Sequence, residues 1–295
     1  MPETTPLVTL LTQLIARLDR ISGHLERAFP VTDDTAIFER SIAYLWKPHG
    51  PSGRPGLHPV AEPNLIPFEA LKNVDRQKAL IEQNTRQFVQ GRPANNVLLT
   101  GAKGTGKSSL VRACLHGFHE QGLRLVEVDK DHLADLPAII DLLRGRPERY
   151  ILFADDLSFE AGESGYKGLK SALDGSIAGQ AANCLVYATS NRRHLLPERM
   201  ADNLSYARGE DGEVHPGEAV EQVVSLSERF GLWVAFYSFS QDEYLAAVAQ
   251  WLRHYGADEE SIVAIRQDAI NWATQRGSRS GRVAYQYAKD WAGRQ

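Results

Sequence analysis

With 295 residues, 43% of them hydrophobic, the chain has room for one large domain or two modest ones and is neither disordered nor fibrous. Its net charge of −4, from 37 acidic against 33 basic side chains, supplies no global field for nucleic acid, so such binding would need a local basic patch. Cys114 and Cys184 read as free buried thiols of a reducing compartment, no apolar run reaches membrane-span length, and no signal-peptide pattern opens the chain; a cytoplasmic protein is expected.

In chain order, Leu7, Leu11, Leu14, Leu18, Ile21 and Leu25 step alternately by four and three, which predicts an amphipathic helix over 6–28. Its seam suits a partner or a second copy, and equally its own domain. The Pro- and Gly-rich stretch 48–67 reads as a linker, ending an N-terminal helical module at 1–60. A helix over 70–88 then leads into the apolar run Val97-Leu98-Leu99-Thr100, a buried strand.

Next comes Gly101-Ala102-Lys103-Gly104-Thr105-Gly106-Lys107-Ser108, followed by Ser109 and by Leu110, Val111, Cys114 and Leu115 at helical spacing. Strand, glycine-rich loop and helix are the context a phosphate-binding loop needs. Glycines let successive backbone N–H groups face phosphate oxygens, and the helix start adds partial positive charge. Lys107 then reaches the β- and γ-phosphates, and the Ser108 hydroxyl ligates Mg²⁺.

Beyond it, strands are predicted over 123–128, 150–154, 184–189 and 232–236, with helices over 133–143 and 166–177 between them. This alternation implies an α/β fold with a five-stranded parallel sheet over 61–240. After Ser240 only helical periodicity remains, around 244–252, 262–272 and 280–291, so a helical lid closes the chain over 241–295.

Asp155 and Asp156 end the apolar run 150–154, where a nucleotide enzyme needs one carboxylate for Mg²⁺ and another group to orient water. Asn191 ends the next run and suits the γ-phosphate or that water if the two strand ends are neighbours; alone it reads as a turn residue. Arg229 precedes the last strand and suits a neighbouring subunit's phosphate, or an ordinary ion pair. Arg279 and Arg282 open the last helix and suit a nucleotide or a nucleic-acid phosphate.

This order of motifs resembles the AAA+ ATPases over roughly residues 62–292. The strings Asp155-Asp156-Leu157-Ser158-Phe159-Glu160 and Ala188-Thr189-Ser190-Asn191-Arg192-Arg193-His194-Leu195 are similar to a bacterial family of predicted AAA+ ATPases that carries no assigned function. The resemblance implies a P-loop NTPase that uses ATP and Mg²⁺. It makes Lys107 and Ser108 part of Walker A, Asp155 and Asp156 Walker B, Asn191 sensor 1 and Arg229 an arginine finger. Arg282, before Arg279, becomes sensor 2, and Leu65-Ile66-Pro67-Phe68 sits where the adenine pocket is lined, with Phe68 as its aromatic. Most AAA+ motors carry glutamate where this chain has Asp156, which implies slow hydrolysis. A homo-oligomer acting on a protein client follows, with no membrane. The alternatives are a DNA-associated loader, using Arg276, Arg279, Arg282, Lys289 and Arg294, and a small-molecule kinase sharing only the P-loop.

Overall fold

The computed structural model describes residues 14–15, 17, 19–20, 38, 40–48, 55–157, 164–174, 181–191, 207–208, 214–215 and 226–294. The strands, in chain order, are β1 (Ala43–Lys47), β2 (Gly56–Pro59), β3 (Val97–Gly101), β4 (Leu123–Glu127), β5 (Arg149–Ala154), β6 (Cys184–Ser190), β7 (Ala207–Arg208), β8 (Val214–His215) and β9 (Leu232–Phe236). The helices are α1 (Asp75–Val89), α2 (Lys107–Phe118), α3 (Leu136–Leu143), α4 (Ser164–Asp174), α5 (Gln241–His254), α6 (Glu259–Ala264), α7 (Arg266–Gln275) and α8 (Gly281–Ala292).

Runs that are apolar at every position suit strands buried on both faces. Along β3 and β5, Leu98, Tyr150, Leu152 and Ala154 pack with α3 and α4 through Leu136, Ile139, Leu143, Leu169 and Leu173. The alternate residues Val97, Leu99, Ile151 and Phe153 pack with α1 and α2 through Ile81, Phe88, Leu110, Val111, Cys114 and Phe118. Two helical layers therefore sandwich one sheet. Its order is β2-β1-β4-β5-β6-β3-β9, and the short β7–β8 pair stands apart. Every neighbouring pair in the large sheet is parallel except β1 with β2.

The sheet thus has seven strands instead of the expected five. The two extra strands fall in the stretch assigned to a helical module and linker. In β1, Ala43, Tyr44 and Trp46 are buried, and the strand pairs with β4. Prolines conceal β2 in the sequence, but β2 is an edge strand, where proline costs little hydrogen bonding. The helix expected over 6–28 lies almost wholly outside the described residues; Leu14 and Ile15, which are described, are helical and exposed.

Smaller differences have local causes. The helix expected over 133–143 begins instead as a 3-10 turn over Lys130–Asp135, started by the Asp129 side chain accepting the Asp131 N–H. The α-helical part starts at Leu136, next to Pro137, whose missing N–H is harmless there. The middle lid helix is two helices that meet at Ile265, whose carbonyl also accepts the Tyr287 hydroxyl at 3.4 Å.

The lid has its own core, built from Tyr244, Leu245, Val248, Leu252, Ala269, Ala273, Val283, Ala284, Tyr287 and Ala288. Ser240 starts α5 with a capping box: its hydroxyl accepts the Glu243 N–H, and the Glu243 carboxylate accepts the Ser240 N–H at 2.7 Å. Among the described residues no helix is long and apolar enough to cross a membrane.

Candidate nucleotide site

The loop from β3 to α2 curls where only glycine fits. At Gly101, with φ +124°, an added Cβ would lie 1.9 Å from the Phe236 carbonyl of β9. At Gly104, with φ +76°, it would lie 2.7 Å from the Ser280 hydroxyl and 3.0 Å from Arg282 Cβ in the lid. The loop is therefore pressed between the sheet edge and the start of α8. The Arg282 N–H donates to the Gly104 carbonyl at 3.1 Å, which ties the two directly.

Lys107, only 6% exposed, opens α2. Its Nζ donates to the carbonyls of Gly101 at 2.7 Å and Ala102 at 2.8 Å, and to Asn191 Oδ1 at 2.9 Å. Burial pushes the ammonium pKa down to about 8, against the pull of Asp155 and Asp156. Thr105 folds back on the loop, its hydroxyl donating to the Ala102 carbonyl at 2.8 Å.

Because β6 lies between β3 and β5, it brings Asn191 beside both the loop and the paired aspartates. Ser108 Oγ donates to Asp155 Oδ1 at 2.7 Å. Thr189 Oγ1 donates to the same oxygen at 2.5 Å and accepts the Asp156 N–H at 2.9 Å. Asp156 takes a left-handed backbone, φ +54°, and its Oδ1 accepts the Asn191 amide. One polar chain therefore runs Lys107–Asn191–Asp156, and a second runs Ser108–Asp155–Thr189. The sequence reading overlooked Thr189, whose hydroxyl holds both aspartates; a threonine on a strand gives no signal of that.

Ser108 and Asp155 offer hard oxygen donors that suit Mg²⁺, which takes one or two protein ligands and completes its shell with phosphate and water. Among the described residues no group of three or more His, Cys, Asp or Glu side chains stands together as a metal cage.

A cavity of about 750 Å³ opens between the sheet and the lid. Lys103, Gly104, Thr105, Gly106, Lys107, Ser108 and Ser109 line it, as do Asp155, Asp156, Asn191 and Arg282. Gly101 and Ala102 lie behind the loop and take part through their carbonyls. Leu65, Ile66 and Pro67 line the cavity too, as do Gln250, Trp251, His254 and Tyr285 of the lid. In the sequence Trp251 shows only as a member of an apolar helix face, and Gln250, His254 and Tyr285 carry no signal of their own.

Phe68 does not line the cavity. Its ring stacks edge-on against Phe118 and lies over Gly117, where an added Cβ would come within 2.8 Å. The segment is placed as expected, but the aromatic turns into the α2 packing. Arg279 is exposed and also outside the cavity wall; its carbonyl accepts the Phe239 N–H at 3.2 Å. Of the other basic lid residues, Arg276 stacks on the Trp272 ring and Arg294 pairs with Asp290.

Arg229 pairs with Asp174 at 2.6 Å. Leu232 pairs with Val97 and Phe236 with Gly101, so Arg229 stands at the end of the sheet away from the loop of its own chain. On the loop side, Glu127 ends β4. Partial desolvation raises its carboxyl pKa; Arg112 opposes that shift and Asp155 adds to it.

A parallel sheet with β6 between the loop strand and the aspartate strand, capped by a helical lid that touches the loop, is the fold of the AAA+ proteins. The chain belongs to the family described as "Protein of unknown function (DUF815)", whose model matches residues 39–295. Its fold is similar to the FIGL-1 AAA domain in complex with ADP, with a TM-score of 0.51, 17% identity, and 78% of this chain and 74% of that one covered. Also similar are a point mutant of RuvB from Thermotoga maritima (TM-score 0.49, 16% identity, 74% and 60% covered) and a HORMA:CdnC:Trip13 complex from E. coli MS115-1 (TM-score 0.44, 13% identity, 75% and 89% covered). The chain spans 60% of the RuvB chain. No curated protein sequence matches it.

Proposed function

We propose that the chain binds ATP with Mg²⁺, hydrolyses it slowly, and works as an oligomeric switch or remodeller on a protein client. One observation carries this reading: Lys107, the Ser108–Asp155 pair and Asn191 converge from three strand ends on one cavity roofed by Arg282. In this reading the ATP phosphates take Lys107 from the Gly101 and Ala102 carbonyls, and backbone N–H groups of residues 103–108 hold the β-phosphate. Ser108 and Asp155 would hold Mg²⁺, which would supply charge neutralisation at the phosphates. Asn191 leaves Lys107 for the γ-phosphate, and Arg282 adds charge from the lid. Arg229, too far along the sheet to serve its own loop, serves a neighbour's site.

Calorimetry with Mg-ATP tests the reading. Wild type should bind and release phosphate, whereas Lys107→Ala should lose at least a hundredfold in affinity while keeping its circular dichroism. A folded Lys107→Ala protein with wild-type affinity would overturn it.

A further inference from the structure

We infer that Glu127, at the carboxyl end of β4, is the carboxylate that orients and deprotonates the attacking water; this rests on the ATP reading above. Parallel pairing sets Glu127 opposite Phe153, and Asp155 follows two residues later. Residues two apart on a strand share a face. Leu125 and Phe153 belong to the core on the α2 side, so Glu127 and Asp155 occupy that side too. The Ser108–Asp155 hydrogen bond, reaching across from α2, agrees with this placement.

A strand spacing of about 4.8 Å and two residues of rise put the two Cα atoms about 8 Å apart. The charged groups acting on Glu127 are Arg112 of α2, which lines the cavity, then Asp155 and Asp129; Glu127 itself is not among the lining residues, and its carboxylate reaches the site from beside Asp155.

Among the described residues, the other carboxylates beside these strand ends are committed. Asp155 is held by Ser108 and Thr189, Asp156 accepts Asn191, and Asp129 caps the turn after β4. Glu127 is exposed and makes no hydrogen bond or ion pair among the described residues. It also has the extra methylene that Asp156 lacks.

In the step, the water oxygen forms a bond to the γ-phosphorus. The bond from that phosphorus to the β–γ bridging oxygen breaks, and its electron pair stays on the ADP. The water proton passes to a Glu127 carboxylate oxygen and on to solvent.

The test measures Mg-ATP affinity, thermal unfolding and steady-state phosphate release for full-length wild type, Glu127→Gln, Glu127→Asp and Asp156→Asn. Glu127→Gln should lower kcat about a hundredfold or more, the scale of a lost general base, with affinity within twofold and unfolding unchanged. Glu127→Asp should recover part of the rate. The inference is overturned if Glu127→Gln turns over at wild-type rate while Asp156→Asn does not, or if affinity falls in step with kcat; the ATP reading survives either result. Wild-type protein that neither binds nor hydrolyses ATP removes both.

Discussion

Thr189 offers a sharp test of how this site is held. Its side chain is 2% exposed, donates to Asp155 and accepts the Asp156 N–H. Thr189→Val keeps the shape and removes the hydroxyl. Asp155 then loses a charge-assisted hydrogen bond worth about 1.5–3 kcal/mol, and the Asp156 N–H is stranded at about 1 kcal/mol or more. The total is about 3 kcal/mol. Thr189→Ser keeps both bonds and deletes one buried methyl, a loss of about 1 kcal/mol. Urea unfolding of the three proteins should therefore rank wild type, then serine, then valine, with the larger gap before valine. The function should split the same way. Without Thr189 the left-handed turn at Asp156 relaxes, so Mg²⁺-dependent ATP affinity should drop for valine and hold for serine. Equal stability of the two variants would refute the hydroxyl's role as the tie between the aspartates.

Four further outcomes are expected. Arg229→Ala should bind ATP normally and hydrolyse it poorly, and mixing it with Lys107→Ala should restore activity; mixed oligomers that stay inactive would return Arg229 to its pair with Asp174. Lys107 titrates near pH 8 when free, because burial lowers it, and phosphate favours its charged form. Mg-free ADP binding should therefore take up a proton above pH 8 and weaken by up to tenfold per unit there, with no such slope from Lys107 below; calorimetry at pH 9 in buffers of different ionisation enthalpy reads this directly. Burial pushes both Cys114 and Cys184 up to about 12, so their thiolate fraction at pH 8 is about 10³-fold below that of an ordinary thiol. Native protein should resist a thiol reagent that labels the urea-unfolded chain at once. Gly104→Ala should weaken ATP binding by about 1–2 kcal/mol, because its methyl strains φ and meets Ser280 and Arg282; unchanged affinity would mean that the lid does not press on the loop.

The central sheet was legible because its strands are apolar at most positions, and the loop because its glycine spacing is tied to one geometry. The lid showed itself by losing the strand period after Ser240. What escaped has physical reasons as well. Tyr44 and Trp46 alternate over only five residues, too short a signal against a helical reading, and the prolines around Leu57 look like punctuation. Pro67 lines the cavity while Phe68, opening a 3-10 turn, faces Phe118, a choice between neighbours that sequence does not show. Glu127 lay hidden because a single charged residue closing an apolar strand looks like a solvated end until the register sets it beside Asp155.

The order in which the chain supplies its strands has a consequence at the ribosome. Strand β1 leaves the exit tunnel before its parallel partner β4, which follows about eighty residues later, a delay of several seconds at ordinary synthesis rates. During that interval β1 can pair with β2 alone, through the register Tyr44 to Pro59. That hairpin would present an unguarded edge to other nascent chains. Pro59 closes the register on the β2 side with a residue that has no N–H to donate, and Pro55, Pro51 and Pro48 crowd the connection. The proline that made this stretch look like a linker would then guard the outer edge of β2, while β1 stays open on the side that β4 later fills.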